Sequence, residues 1–327
     1  MPGKPIALAK LTRPRPHDVL PRDRLFEQLD RGRQRGSAIC VTGPPGAGKT
    51  TLIATWLAER RLDGIWYQVD PGDRDLATFF HYLGQAVLPF SRKGQRLLPA
   101  LTPEYLGDVP GFSRRFFRDL FARLPAGAVL VLDNYQEVPD DDLFHRLVAD
   151  AVEEVPAGAS LIVASRRDPP DCYARLVANR NVASIGWDDL KLSAEEAIAI
   201  GERRTGIAAG DLVGLHEKSG GWMAGLTLLI ERLARGGTIR DLEQPEQLQD
   251  VFDYFAAQIF ADASGADRQI LMKLSVVPRM TARLAETLVA DGNAGRLLDD
   301  LYRRRLFTER RSGAPRTYQF HALFRVF

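Results

Sequence analysis

Residues 38–51 read Ala-Ile-Cys-Val-Thr-Gly-Pro-Pro-Gly-Ala-Gly-Lys-Thr-Thr, and few architectures can accommodate such a stretch. An apolar run, 38–41, enters a glycine-rich turn, and a helix-like run, Thr51-Leu-Ile-Ala-Thr-Trp-Leu-Ala, leaves it. The turn fits G-x-x-x-x-G-K-[ST] over Gly43, Pro44, Pro45, Gly46, Ala47, Gly48, Lys49 and Thr50, with Thr51 directly after. Glycines let the chain curl until successive backbone N–H groups face phosphate oxygens, and the helix N-terminus adds partial positive charge. In that setting Lys49 reaches the β- and γ-phosphates and the Thr50 hydroxyl ligates Mg²⁺. A strand before the turn and a helix after it are the context the motif requires, and both patterns are present.

At 327 residues the chain is long enough for two or three domains. Its 45% hydrophobic and 26% charged content is that of a soluble globular protein. A net charge of +2 gives no strong non-specific pull toward nucleic acid or membrane. Two cysteines, Cys40 and Cys172, make no disulfide framework and suit a reducing cytoplasm. No run of eighteen apolar residues and no signal-like N-terminus occur, which argues against membrane spanning and secretion. Five scattered histidines show no metal-ligand spacing.

The segment before the motif is rich in proline and arginine and reads as an extended arm leading into a short helix over 23–33, with Leu25, Phe26 and Leu29 on one face. Such an arm either lies over the adenine, with Arg22, Val19 and Leu20 at the base end of the site, or runs along the surface. Beyond the motif helix the pattern predicts a strand over 65–69, an acidic turn at Asp70 and Asp73, and a helix over 76–87. An irregular connection over 89–111 and a helix over 112–124 follow.

The run 128–133, Ala-Val-Leu-Val-Leu-Asp, describes a buried parallel strand delivering a carboxylate to its C-terminal end. Downstream of a phosphate loop this is the position of a Mg²⁺-holding acid, Asp133. The next residue, Asn134, cannot serve as a base, and Glu137 is the nearest substitute. A helix over 141–155 and a strand over 160–165 come next, with Arg166 and Arg167 at the strand end. Arg166 is placed to sense a γ-phosphate through a charge-assisted hydrogen bond, the alternative being a solvated basic turn. Residues 182–187 read as a last strand. Strands alternating with helices in this rhythm indicate an α/β domain, a parallel sheet with helices on both faces.

The texture changes near residue 190. Ser193 and Glu196 form a capping box opening a helix over 194–204, and helices over 211–216 and 221–234 follow. Trp222, Leu226, Leu229 and Leu233 recur at helical spacing, the pattern of a packing face. Helices are again expected over 251–260, 267–274, 281–290 and 294–304, then strand-like pieces over 306–310 and 317–321 joined by a hairpin turn. Three helices and a hairpin describe a winged helix. The basic runs 303–305 and 310–311 raise a DNA-binding wing, against which stand the absence of a basic reading helix and the near-neutral charge.

With these residues in view the chain resembles the STAND-class signal-transducing P-loop NTPases, and within them the nucleotide-binding module of the MalT-like, large LuxR-type regulators. The resemblance covers nearly the whole chain. It rests on Lys10-Leu-Thr-Arg-Pro, Gly43 to Trp56, Trp66-Tyr with Asp70 and Asp73, Leu132-Asp-Asn-Tyr-Gln, Ala164-Ser-Arg166, Gly221-Trp-Met-Ala-Gly-Leu and Phe320-His-Ala-Leu-Phe-Arg. It implies an N-terminal arm (1–37), a P-loop NTPase domain (38–189), an all-α helical domain (190–245) and a winged-helix domain (246–327). It further implies that ADP holds a closed resting form, and that a winged-helix histidine, His321 by motif match, touches the β-phosphate. Asn134 stands where many relatives carry a second acid, which implies slow hydrolysis. Sensor repeats and an effector follow in such proteins, so the chain is expected to be a piece of a longer protein or to act through another chain.

The expectation is therefore a cytoplasmic switch module that binds ATP or ADP with Mg²⁺ and takes part in transcription regulation. Its inducer and effector segments would lie outside this chain, self-association would depend on nucleotide, and DNA binding would not reside in this fragment. The rival readings are a turnover ATPase of AAA-like type, which needs a strong catalytic acid, and a winged-helix DNA-binding protein, which needs salt-dependent groove recognition.

Overall fold

The structure is a computed structural model of the chain and describes residues 8–16, 19–92, 95–140, 142–204, 208–234, 264–277, 279–303, 308–311 and 315–320. These divide into two compact units. One comprises Met1–Thr42 and Lys49–Asp189, the other Gly43–Gly48 and Leu190–Phe327.

The first unit is built on a five-stranded sheet: β1 (Ala38–Thr42), β2 (Gly64–Gln68), β3 (Val129–Asp133), β4 (Ser160–Ser165) and β5 (Val182–Ile185), in the order β2-β3-β4-β1-β5. Every pairing is parallel. Each residue of β1, β3 and β4 is buried, which is why these runs are apolar between their ends rather than alternating. Helix α1 (Asp23–Arg35) precedes β1, and the helices between the strands are α2 (Lys49–Glu59), α3 (Leu76–Ala86), α4 (Val109–Phe121), α5 (Leu143–Val152) and α6 (Ala174–Ala178). One core cluster gathers apolar side chains from the sheet with phenylalanines of α3, α4 and α5. Phe79 meets Phe144, and Phe80 meets Phe116, edge-on with ring centroids 4.8 Å apart in each case. Burying each such ring is worth roughly 2–3 kcal/mol, so this cluster dominates the unit's stability.

Two expectations need correction. Residues 89–111 are not irregular throughout: 3₁₀ turns occupy Leu88–Phe90 and Pro103–Asp108, and α4 opens at Val109. Asp108 caps it, its carboxylate accepting from Gly111 N–H at 2.9 Å, and Pro110 sits in the first turn, where a missing N–H costs nothing. The last strand stops at Ile185 rather than 187. The Gly186 N–H donates to the Asp189 carboxylate at 2.9 Å, and the chain turns into a short helix, α7 (Trp187–Leu190).

The second unit contains α8 (Ala194–Arg204), α9 (Ala209–Ser219), α10 (Met223–Ala234), α11 (Gly265–Ser275), α12 (Ala282–Val289) and α13 (Ala294–Arg303), then strands β6 (Thr308–Arg311) and β7 (Thr317–Phe320). The α8 capping box is formed: Ser193 N–H donates to the Glu196 carboxylate at 3.0 Å, and Glu196 N–H to Ser193 Oγ at 3.2 Å. Ser264 and Asp267 form an equivalent box at α11, which the sequence reading had started two residues later. Strands β6 and β7 pair antiparallel, and Met280 adds a bridge to Tyr318. The expected helix over 251–260 lies outside the described residues, as does most of the hairpin turn.

Candidate functional site

Gly46 and Gly48 adopt φ of 69° and 86°, a region open to glycine at no steric cost, and this is what lets the loop leave β1 and enter α2 in six residues. Within it the Ala47 N–H donates to the Pro44 carbonyl at 3.2 Å, and Ala47 itself is fully buried. Helix α2 begins at Lys49, so the amides of Lys49, Thr50 and Thr51 lie in a first turn, where N–H groups have no partner within the helix. A run of such donors beside curled glycine backbone is a site for an anion.

Thr50 Oγ1 donates to the Asp133 carboxylate at 3.1 and 3.0 Å from its two oxygens. Asp133 is the last residue of β3, and the β2–β3 ladder holds it: the Val69 N–H donates to its carbonyl at 2.8 Å. The carboxylate is only 5% exposed. Burial raises its pKa above the ordinary range, while the Thr50 hydroxyl, the Asn134 N–H and the Lys49 charge act in the opposite direction. A buried carboxylate and a hydroxyl sharing one position are hard oxygen donors, a set that fits Mg²⁺.

Asn134 has a left-handed backbone, φ 58° and ψ 37°, which asparagine tolerates better than most non-glycine residues. Its N–H donates back to the Asp133 carboxylate at 3.0 Å. The single 3₁₀ turn Tyr135–Glu137 follows. There the Gln136 carbonyl oxygen accepts from the Arg166 N–H, and its amide donates to the Glu137 carboxylate, both at 3.0 Å. Glu137 is thus held by its neighbour. Arg166, half-buried at the end of β4, carries a guanidinium that makes no hydrogen bond or ion pair among the described residues. Arg167, by contrast, pairs with Asp140 at 3.4 Å. Strand β4 lies between β1 and β3 in the sheet, so the ends carrying the loop, Arg166 and Asp133 are consecutive.

Arg22 is buried, and its carbonyl accepts from the Leu25 and Phe26 N–H groups at 2.9 and 3.0 Å, the entry turn of α1. His321 lies outside the described residues. Two features escaped sequence reasoning. Gln136 entered the sequence reading only as the last residue of Leu132-Asp-Asn-Tyr-Gln and carried no role there, since one glutamine in a turn is unremarkable. Trp222 was read as the first residue of a packing stripe. It precedes α10 instead, and its indole N–H donates to the Pro45 carbonyl at 2.9 Å.

Residues 256–327 match the family model described as the MalT winged helix domain. The HTH-type transcriptional regulator MalT of Vibrio cholerae is 27% identical over 98% of this chain, and that of Yersinia pestis is 26% identical over the same share. The chain spans 36% of the length of these relatives. Among solved structures, a Walker-type ATPase of Pyrococcus abyssi superposes with a TM-score of 0.65 over 94% of this chain and 95% of its own, at 14% identity. The Aeropyrum pernix ORC1 protein in complex with DNA follows at 0.50, covering 95% and 92%. The fold is that of a P-loop NTPase continued by helices and a winged helix, and along nearly its whole length the chain is similar to regulators named MalT.

Proposed function

We propose that the chain is the ATP/ADP-dependent switch module of a STAND-class transcriptional regulator, with the ADP-bound form at rest. The observation that carries this reading is the pairing of Thr50 with Asp133 beside a glycine-shaped loop, in a chain similar throughout to regulators named MalT. The loop 43–51 would hold the phosphates, through the backbone N–H groups it has outside Pro44 and Pro45, and Lys49 would neutralise the β- and γ-oxygens. Thr50 and Asp133 would hold Mg²⁺, which when bound screens phosphate charge. Arg22 would lie at the base end, and His321 would add a contact to ADP.

Arg166 has the chemistry of a γ-phosphate sensor: the residue is half-buried, its backbone N–H is held at the strand end by Gln136, and its guanidinium makes no hydrogen bond or ion pair among the described residues. A charge-assisted bond of roughly 1.5–3 kcal/mol made with ATP and not ADP biases the module toward one state. A near-complete flip needs about 5.5 kcal/mol, so about two to four such contacts suffice. Asn134 at the position after Asp133, together with a Glu137 tied to Gln136, supports slow hydrolysis acting as a timer. The division into arm, NTPase, helical and winged-helix domains at 37, 189 and 245 belongs to the same reading. So do a cytoplasmic setting, nucleotide-dependent self-association, and inducer and effector contacts made by segments beyond this chain.

The test is to purify the protein without added nucleotide, denature it and identify what is released by chromatography, alongside calorimetric titration with ADP and ATP. Stoichiometric ADP from the wild type, and no binding of either nucleotide to Lys49→Ala, is the expected result. Several turnovers per second in steady state would instead make it an enzyme of motor type.

A further inference from the structure

The loop Gly43–Gly48 belongs to the same compact unit as the helices after residue 190, and the geometry there is specific. Gly220 and Gly221 both have positive φ, 58° and 75°. A Cβ on Gly221 would come within 3.0 Å of the Leu192 carbonyl and 3.1 Å of Lys191 Cβ, so only glycine fits. The Leu192 N–H donates to the Gly221 carbonyl at 2.8 Å, and the Leu192 carbonyl lies 2.7 Å from His216 Nε2. This turn sets the start of α10. From it two donors reach the loop: the Trp222 indole N–H to the Pro45 carbonyl at 2.9 Å, and the Ala224 N–H to the Gly46 carbonyl at 3.0 Å. The second is a first-turn amide, one of those a helix leaves unpaired.

In a trans peptide C=O and N–H point in opposite directions. Tying the carbonyls of Pro45 and Gly46 to α10 therefore aims the N–H groups of Gly46 and Ala47 away from it, the latter toward the Pro44 carbonyl at 3.2 Å within the loop. We propose that Trp222 is a positioning residue for the phosphate loop: with the Ala224 N–H it fixes two loop peptides, so that nucleotide affinity depends on how residues 220–224 are held. The proposal rests on the reading of 43–51 as the phosphate site. It goes beyond that reading by giving the Gly-Trp-x-x-Gly-Leu stretch a role in binding rather than in packing alone. Because ADP and ATP both carry the phosphates that this loop would hold, both should be affected alike.

The experiment uses the full chain. Trp222→Phe removes the indole donor and keeps most of the apolar volume, whereas Ala224→Pro removes the second donor without touching the tryptophan, in a first turn that tolerates proline. Each is expected to weaken ADP and ATP binding equally, by about tenfold, as loss of one hydrogen bond of about 1.4 kcal/mol implies. In protein labelled with 5-fluorotryptophan, the ¹⁹F resonance missing from the Trp222→Phe spectrum should shift when ADP saturates the wild type, a response that a merely core tryptophan lacks. If Trp222→Phe fails to fold, a signal assigned by elimination through Phe variants of the other three tryptophans, together with Ala224→Pro, decides. Wild-type affinity in Ala224→Pro, or a Trp222 resonance silent to ADP, overturns the proposal. Lys49→Ala separates the two levels: if it still binds nucleotide the phosphate-site reading fails, and if it does not while Ala224→Pro binds normally, only the role of Trp222 fails.

Discussion

The Arg166 N–H donates to the side-chain carbonyl of Gln136 at 3.0 Å, just past the end of β4. The backbone register of β3 and β4 ends at Leu132 and Val163, so Gln136 extends the link between the two strands with a side chain once they part. The residue after the candidate metal-site acid and the candidate phosphate sensor are thereby set by one turn.

Removing that link should loosen Arg166 without touching Lys49, Thr50 or Asp133. Gln136→Met is expected to weaken ATP binding by roughly tenfold, the value of one lost hydrogen bond amplified at a charged contact, and to leave ADP binding within about twofold. Paired calorimetric titrations measure the ratio, and an equal loss for both nucleotides would show that Gln136 supports the whole site.

Asp133 is a carboxylate that the fold buries at a cost to itself. Asp133→Asn keeps an acceptor for Thr50 and for the Asn134 N–H while removing the desolvated charge. The variant without nucleotide or metal should be more stable than wild type by about 1–2 kcal/mol in urea unfolding, and should lose Mg²⁺-dependent nucleotide binding. Function and stability would then oppose each other at this position.

Lys10 anchors the N-terminal arm. Its Nζ lies 2.6 Å from the Asp70 carboxylate and 2.8 Å from that of Asp73, which is fully buried and also accepts from Tyr67 Oη at 2.7 Å. Lys10→Met would leave Asp73 in the interior without its cation, at about 3 kcal/mol. Adding Asp73→Asn should recover most of the loss, and a double-mutant cycle by urea unfolding checks both numbers.

His145 is buried, with Nε2 3.1 Å from the Val138 carbonyl and Nδ1 without a partner among the described residues. Burial lowers its pKa from the ordinary 6.5, partly opposed by the Val138 carbonyl and by Asp140 and Asp142. The unfolded chain then binds the extra proton more readily, so stability is full above pH 6.5 and declines as pH falls through that value. Unfolding free energy measured between about pH 7.5 and 5.5 should fall in the wild type and vary less in His145→Gln.

The sequence made the sheet legible because buried parallel strands are continuous apolar runs: the strand read over 160–165 is β4 residue for residue, and β3 begins one residue later than expected. Helix limits were harder. The start of α4 was hidden because its first turn carries Val109, Pro110 and Gly111 after a capping aspartate, so composition said loop where geometry says helix. Residues 186–190 misled for the opposite reason: Trp187 continues an apolar strand pattern, and only the bond from Gly186 to Asp189 turns the chain.

At the site the same division holds. A phosphate loop is local, its glycines, lysine and threonine fixed in spacing by one turn, and Gly43 to Thr51 can be read from eight consecutive letters and their flanks. That Asp133 meets Thr50 follows from strand order, which parallel pairing decides over a separation of 83 residues. The long-range bonds of Gln136 and Trp222 are invisible in one dimension: each reaches a backbone atom, 30 and 177 residues away respectively. Short-range stereochemistry is written in the chain, while long-range hydrogen bonds exist only once the hydrophobic core has brought their two ends together.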